Sequence, residues 1–188
     1  LVAEGLALVI SGTKPIYFKP EYSELSTGRL IPALDIPNAV YVLVVVAVLA
    51  SVLLTKTLLG RYTYSIGSNE EATALSGINV RTWKIAVYTL AGLFVGLAGV
   101  MSSARLSSAQ PGIGTGYELQ AIAAVVIGGT SLTGGKGNVS GTVIGALIIG
   151  VINNGLAIVE IPQEWRNVIL GCVILVAVYL DMLRKRRT

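Results

Sequence analysis

Histidine is absent from this chain of 188 residues, and cysteine occurs once, at Cys172. The first absence excludes imidazole as a metal ligand or general base, and a single cysteine excludes a disulfide within the chain. Charged residues are also scarce, at 13%, where a soluble domain carries about a quarter. The net charge of +4 comes with 6% aromatic residues and no basic stripe, so we expect no nucleic acid binding.

Long runs without any charged residue are the main positive feature of the chain. They extend from Ile36 to Thr55, from Ile85 to Ala104, from Gly137 to Val159 and, more loosely, from Leu119 to Gly135. A helix rises ~1.5 Å per residue and the hydrocarbon core is ~30 Å thick, so about 20 apolar residues cross it. These runs predict an all-α, polytopic transmembrane helical bundle.

We expect residues 1–188 to form the C-terminal part of a single transmembrane domain of a longer protein. The predicted spans are residues 1–10 (truncated), 38–55, 84–104, 117–128 (broken), 139–159 and 165–183. Excess Lys and Arg favour the cytoplasmic side, which places the segment 56–84 and the cluster Arg184 to Arg187 inside. The segment from Ser11 to Asp35, with Pro15, Pro20 and Pro32, is then an outer loop.

The segment from Tyr117 to Ile127 is only about half a span long. A glycine-rich stretch, Gly128 to Gly137, follows it, and irregular backbone at membrane depth must be covered by protein or water. We therefore expect a broken crossing that lines the interior and closes in a flexible inner turn. The stretch is no phosphate-binding P-loop, because Thr130 stands at the first glycine position and Gly137 follows Lys136.

The inner segment contains a signal for one short helix. Ser68 followed by Glu71 three residues later predicts a capping box, and Gly77 suits a left-handed helix end. The expected helix runs over residues 69–76 and is too short to be stable alone. Either a partner docks against it, or it is an ordinary amphipathic connector on the inner surface.

Polar residues that fall near the ends of the spans predict a path for a hydroxyl-rich solute, because such groups are costly in a membrane. They are Arg105, Ser108, Gln110, Glu118, Gln120, Asn153 and Asn154, with Ser107 beside them. Alternatively, Arg105 and Glu118 simply pair at the level of the lipid headgroups, and both interpretations can hold together. Two glycine pairs, Gly92 with Gly96 and Gly141 with Gly145, predict close helix packing.

Several ordered strings resemble the membrane permease of ribose-type ABC importers, in register over roughly residues 60–180. The strings are Gly60 to Tyr62, Gly67 to Gly77, Ala104 to Pro111, Gly116 to Leu119, Ala121 to Val125, Gly128 to Leu132, Gly134 to Gly137 and Asn153 to Leu156. Gln120 departs from the family's pattern, which usually has Asp there, and this puts details of substrate or coupling in question.

The resemblance implies a subunit of an ATP-driven importer that moves a monosaccharide across the bacterial inner membrane. It implies two permease copies, a cytoplasmic ATPase that binds ATP and magnesium, and a periplasmic or extracellular sugar-binding protein, with no cofactor on this chain. The short helix would then be the coupling helix that contacts the ATPase through Ser68, Asn69, Glu70, Glu71, Ala72, Leu75 and Gly77.

Other functions are less well supported by the residues. A membrane-embedded hydrolase would need a nucleophile with a base, a metal cluster or a phosphate loop. A passive channel would need charged rings or a filter-like loop, which the sequence does not display. Within the permease family, a nucleoside, a branched-chain amino acid or a signalling sugar is the alternative solute.

Overall fold

The computed structural model describes residues 2–31 and 35–185, without the side chains of Gln163 and of residues 180–185. Within these ranges the helices are α1 (Val2–Ser11), α2 (Pro20–Thr27), α3 (Asn38–Lys56), α4 (Leu58–Ser68), α5 (Glu70–Leu75), α6 (Val80–Leu106), α7 (Tyr117–Ile127), α8 (Val139–Ile158) and α9 (Gln163–Lys185). The strands are β1 (Ile16–Tyr17) and β2 (Ser108–Ala109). The all-α fold class is confirmed. Pro32, Arg186 and Arg187, which entered the predicted topology, lie outside the described residues.

Three of these helices are long and apolar enough to cross a membrane. They are α3 with 19 residues, α6 with 27 and α8 with 20, and their mean hydropathies are 2.4, 1.9 and 1.8. Their large side chains are widely exposed, as Val95 on α6 and Val151 on α8 illustrate at 71% each. Such faces are stable when lipid or another apolar helix covers them.

One compact unit comprises the described residues within 1–49 and 84–115. In it β1 pairs with β2 in antiparallel register, Ile16 opposite Ala109 and Tyr17 opposite Ser108. The ladder continues where the Phe18 amide donates to the carbonyl of Ser107 at 3.0 Å. The segment from Ser11 to Asp35, predicted as an outer loop, therefore contains a strand and a helix.

Helix α2 begins with Pro20 in its first turn, a position where proline is favoured because its fixed φ suits a helix start. Asn38 ties the end of this helix to the start of α3. The Asn38 side-chain amide donates to the carbonyl of Glu24 at 2.9 Å, and its oxygen accepts from the Leu30 amide at 2.8 Å. These two hydrogen bonds hold the start of α3 against the end of α2 and against Leu30.

The second compact unit comprises the described residues within 50–83 and 116–188. Its core lies where α7 packs against α8 and α9. The buried residues are Ala123, Ala124, Ile149 and Leu170, with Ile127, Ile152 and Ile174 packed around them. The small alanines on α7 allow this close packing.

Glycine creates the contact between α7 and α8. A Cβ at Gly145 would overlap the carbonyl of Ala124, and a Cβ at Gly141 would overlap the carbonyl of Gly128. The packing seam predicted for Gly141 and Gly145 is therefore confirmed. At Gly92 and Gly96 no atom of the described chain lies within 4 Å of the Cβ position, so this predicted seam has no partner among the described residues.

Helix α4, which the sequence did not predict, is separated from α3 by Thr57, whose backbone is extended. Gly60 is buried, and a Cβ there would overlap the backbone of Leu54 near the end of α3. The ring of Tyr62 packs against that of Trp83, with centroids 4.7 Å apart. These contacts hold α4 against Leu54 and Trp83.

The seam between α7 and α8 predicts a position-specific effect on stability. We expect Gly145→Ala to lower the free energy of unfolding by ~1–3 kcal/mol, because the added methyl forces the two backbones apart. Thermal unfolding of the full-length protein in detergent measures the effect. Gly150→Ala is the matched control on the same helix, because no described atom lies within 4 Å of its Cβ position. Equal stability of both variants would contradict the proposed seam.

Candidate functional site

Asn69 joins α4 to α5, the helix predicted to couple the chain to a partner. Its backbone is extended, with φ −156° and ψ 106°. The Asn69 amide donates to the carbonyl of Ser65 at 3.0 Å and so ends α4. The Asn69 side-chain oxygen accepts from the Ala72 amide at 3.0 Å and so begins α5. One residue therefore caps two helices.

The predicted capping box at Ser68 and Glu71 is wrong. Ser68 is the last residue of α4, so its backbone is helical and does not take the extended conformation that an N-cap requires. Asn69, an equally favoured capping residue, replaces it. The helix spans Glu70–Leu75, one residue shorter at each end than predicted. Gly77 has φ +84°, which confirms the left-handed conformation expected there.

The outer face of α5 is exposed. Thr73 is buried and anchors the helix, and its hydroxyl donates to the carbonyl of Asn69 at 2.7 Å. Glu71 and Ala72 are exposed, and Leu75 is 89% exposed. Helices α4 and α5 also border an open groove of about 440 Å³, lined by Tyr64, Ser65, Ser68, Asn69, Ala72, Thr73, Ser76 and Ile78. This end of the unit thus presents an apolar tip beside a hydroxyl-rich groove.

The residues predicted to line a solute path lie in both units. In the first unit, Ser108 is buried in β2 and accepts a hydrogen bond from the Gln110 side chain at 3.2 Å. Arg105 is exposed in the last turn of α6. The structure thus brings Ser108 and Gln110 together.

In the second unit, the predicted path residues lie on α7 and α8. The Asn153 amide donates to the side-chain oxygen of Gln120 at 3.4 Å, and this contact joins the two helices. Asn154 follows Asn153 directly, Glu118 precedes Gln120 by two residues, and both Asn154 and Glu118 are exposed. Gln120 therefore supplies a neutral acceptor to Asn153.

Two hydrogen bonds between polar groups were not predicted from the sequence. The Thr115 hydroxyl donates to the carboxylate of Glu4 on α1 at 3.2 Å. The Tyr64 hydroxyl on α4 donates to the carbonyl of Gly137 at 2.9 Å. In each pair the partners are far apart in the chain, so no local pattern indicates the contact. Among the described residues, no group of three or more His, Cys, Asp or Glu side chains could hold a metal ion.

Residues 5–178 match the family described as the permease component of branched-chain amino acid transport systems. The chain is 54% identical over 148 residues to a ribose import permease protein of Escherichia coli strain K12, which covers 79% of this chain and 46% of that protein. It is 48% identical over 181 residues to the ribose import permease protein of Bacillus subtilis strain 168, covering 96% and 56%.

A xylose transport system permease protein of Haemophilus influenzae is 45% identical over 152 residues, covering 81% of this chain and 40% of that protein. The chain thus spans about half the length of the curated relatives it matches. No solved structure gives a significant match.

The shared cap at Asn69 predicts which substitution frays α5. We expect Asn69→Ala to weaken the helix by ~1 kcal/mol, which raises amide hydrogen exchange over residues 70–76 about fivefold. Hydrogen exchange with mass spectrometry on the full-length protein measures this. Ser68→Ala is the control and should leave the exchange unchanged. Faster exchange in Ser68→Ala than in Asn69→Ala would contradict the cap at Asn69 and support the capping box predicted at Ser68.

Proposed function

The chain belongs to the family of permease components of branched-chain amino acid transport systems, and on that premise we propose that it forms the C-terminal part of an importer's transmembrane subunit. The importer is ATP-driven and moves a ribose-like monosaccharide across the bacterial inner membrane. The observation that carries the proposal is 54% identity to a ribose import permease over 148 residues. The apolar helices α3, α6 and α8 support a multi-pass membrane location.

The proposed solute follows from the names of the relatives and from the kind of polar groups present. The relatives are named for import of ribose and xylose, two monosaccharides. Gln120, Asn153 and Ser108 offer neutral donors and acceptors, which suit a hydroxyl-rich, uncharged solute. The alternative is another solute carried by this family, such as a nucleoside, a branched-chain amino acid or a signalling sugar.

The polar residues predicted near the outer ends of the spans have a proposed role in passing the solute. Arg105 and Gln110 of the first unit, and Glu118, Asn153 and Asn154 of the second, would each exchange hydrogen bonds with it there. Weak and distributed contacts favour release, because a tightly bound ground state slows passage. Selection among sugars then rests largely with a separate binding protein that delivers the solute.

Helix α5 is the proposed coupling helix and contacts a cytoplasmic ATPase. Leu75 supports this, because its apolar side chain is 89% exposed. Covering such a side chain with a partner removes apolar surface from water and stabilises the complex. Glu70 and Glu71 lie in the first turn of the helix, and Gly77 takes a left-handed conformation after its end. ATP and magnesium bind to the ATPase, and this chain carries no cofactor. The complete pathway is formed by two permease copies, as a homodimer.

Transport by the reconstituted importer tests the proposed function. The full-length permease is placed in proteoliposomes with the ATPase and binding protein encoded beside it. We expect uptake of radiolabelled ribose that requires ATP and the binding protein, and no uptake of leucine. Leucine uptake would establish the alternative solute, and ribose uptake without ATP would overturn the importer mechanism.

The tip of α5 predicts a selective defect in coupling. We expect Leu75→Ser to lower both binding of the ATPase and solute uptake about tenfold, because a buried leucine contact is lost. Pull-down of the ATPase and uptake in proteoliposomes measure the two quantities. Leu58→Ser, an equal change at an exposed leucine on α4, is the control. Normal uptake in Leu75→Ser would contradict the docking assignment.

A further inference from the structure

The glycine-rich loop at residues 128–137 lies directly against the end of α4. A Cβ at Gly67 would lie 2.8 Å from the amide nitrogen of Gly135, and a Cβ at Gly135 would lie 3.1 Å from the Cβ of Ser68. Gly134 and Gly135 have φ of +86° and +75°, which other residues adopt at a cost. The two backbones therefore meet with no side chain between them.

A directed hydrogen bond adds to this backbone contact. The Tyr64 hydroxyl, one helical turn before Gly67, donates to the carbonyl of Gly137 at 2.9 Å in a part-buried position. The loop is itself braced, since the Ser131 amide donates to the carbonyl of Lys136 at 3.0 Å. Close packing and a hydrogen bond thus both stabilise this contact. The inner turn, which the sequence predicted as flexible, is braced by hydrogen bonds.

The loop continues this close packing toward α7 and α8. Gly128, at the end of α7, meets the backbone of Gly141 on α8. On the other side, Asn69 connects α4 to α5 without an intervening residue. An unbroken series of tight backbone contacts therefore runs from α5 through the end of α4 and the loop to the paired helices α7 and α8.

Among the described residues, the opposite end of α5 shows no backbone contact as close as this. Ser76 and Gly77 are exposed, and no described atom lies within 4 Å of the Cβ position of Gly77. A turn with so little packing yields when it is pushed. Of the two ends of α5, the one that joins α4 is thus the more tightly packed.

We infer that Tyr64 and Gly67 are positioning residues that join the coupling helix rigidly to the broken crossing. This inference rests on the proposed function. A push on α5 by the ATPase then moves the loop, the end of α7 and the start of α8 together with α4 as one body. Loosening the joint lets the ATPase turn over while less of its movement reaches the crossing.

The first test measures the ratio of solute taken up to ATP hydrolysed, with equal amounts of full-length permease in proteoliposomes. We expect Tyr64→Phe and Gly67→Ala to lower this ratio about fivefold, as the loss of one hydrogen bond or close contact would. ATP hydrolysis and ATPase binding are retained. Tyr62→Phe, two residues earlier on α4, and Gly150→Ala are the controls and keep the wild-type ratio.

An unchanged ratio in both Tyr64→Phe and Gly67→Ala would overturn the inference, even if their total uptake fell in proportion to ATP hydrolysis. A merely structural role lowers the amount of folded protein and leaves the ratio unaltered. Absence of ATP-dependent uptake by the unmodified permease would be a failure of the proposed function itself. The wild-type sample therefore separates the two failures.

The second test asks whether the joint stays closed during transport. Ser68→Cys and Gly135→Cys are combined with Cys172→Ala and with replacement of any cysteine elsewhere in the full-length protein. The Cβ positions of residues 68 and 135 lie within reach of a disulfide after a small adjustment. We expect the oxidised, crosslinked permease to transport within about twofold of its reduced form. Loss of uptake on oxidation and recovery with dithiothreitol would show that the contact opens, and would overturn the rigid joint. If the reduced variant is inactive, the ratio in Tyr64→Phe decides.

Discussion

Close approach of backbone to backbone at glycine is the constraint on which the second unit depends. A Cβ at Gly145, at Gly141 or at Gly134 would overlap a neighbouring carbonyl. Because glycine has no side chain, the backbones can approach closely at these positions. Helix α7 can therefore be short, and the glycine-rich loop that follows it is covered by α8 and by the end of α4. Irregular backbone in a membrane protein requires such cover, since lipid offers no hydrogen bonds.

Much of the fold follows from the distribution of charge and apolar residues along the chain. The charge-free runs predicted helices where α3, α6 and α8 lie, and the shortness of the segment before Gly128 predicted the half-length α7. Helix α4 was missed because glycines and hydroxyl residues interrupt its apolar pattern. That omission produced the error at Ser68, since a residue inside a helix cannot begin the next one.

The remaining features depend on partners far apart in sequence. Strands of two residues carry no periodicity, so pairing of β1 with β2 is invisible until the chain is folded. The same holds for Tyr64, whose hydroxyl meets a carbonyl 73 positions away. Of the predicted solute path, the structure joins Gln120 to Asn153 and Ser108 to Gln110, each within one unit. Spacing on a helix suggested none of these pairs.

The double role of Asn69 limits how sequences of this kind can vary in length. Each residue of a helix turns the chain by ~100°, so one extra residue inside α4 would rotate everything after it by that angle. The tip at Leu75 would then point elsewhere, although every local preference was still satisfied. Insertions and deletions between Gly60 and Leu75 should therefore be far rarer than substitutions, and homologues should keep this interval constant even where its residues differ.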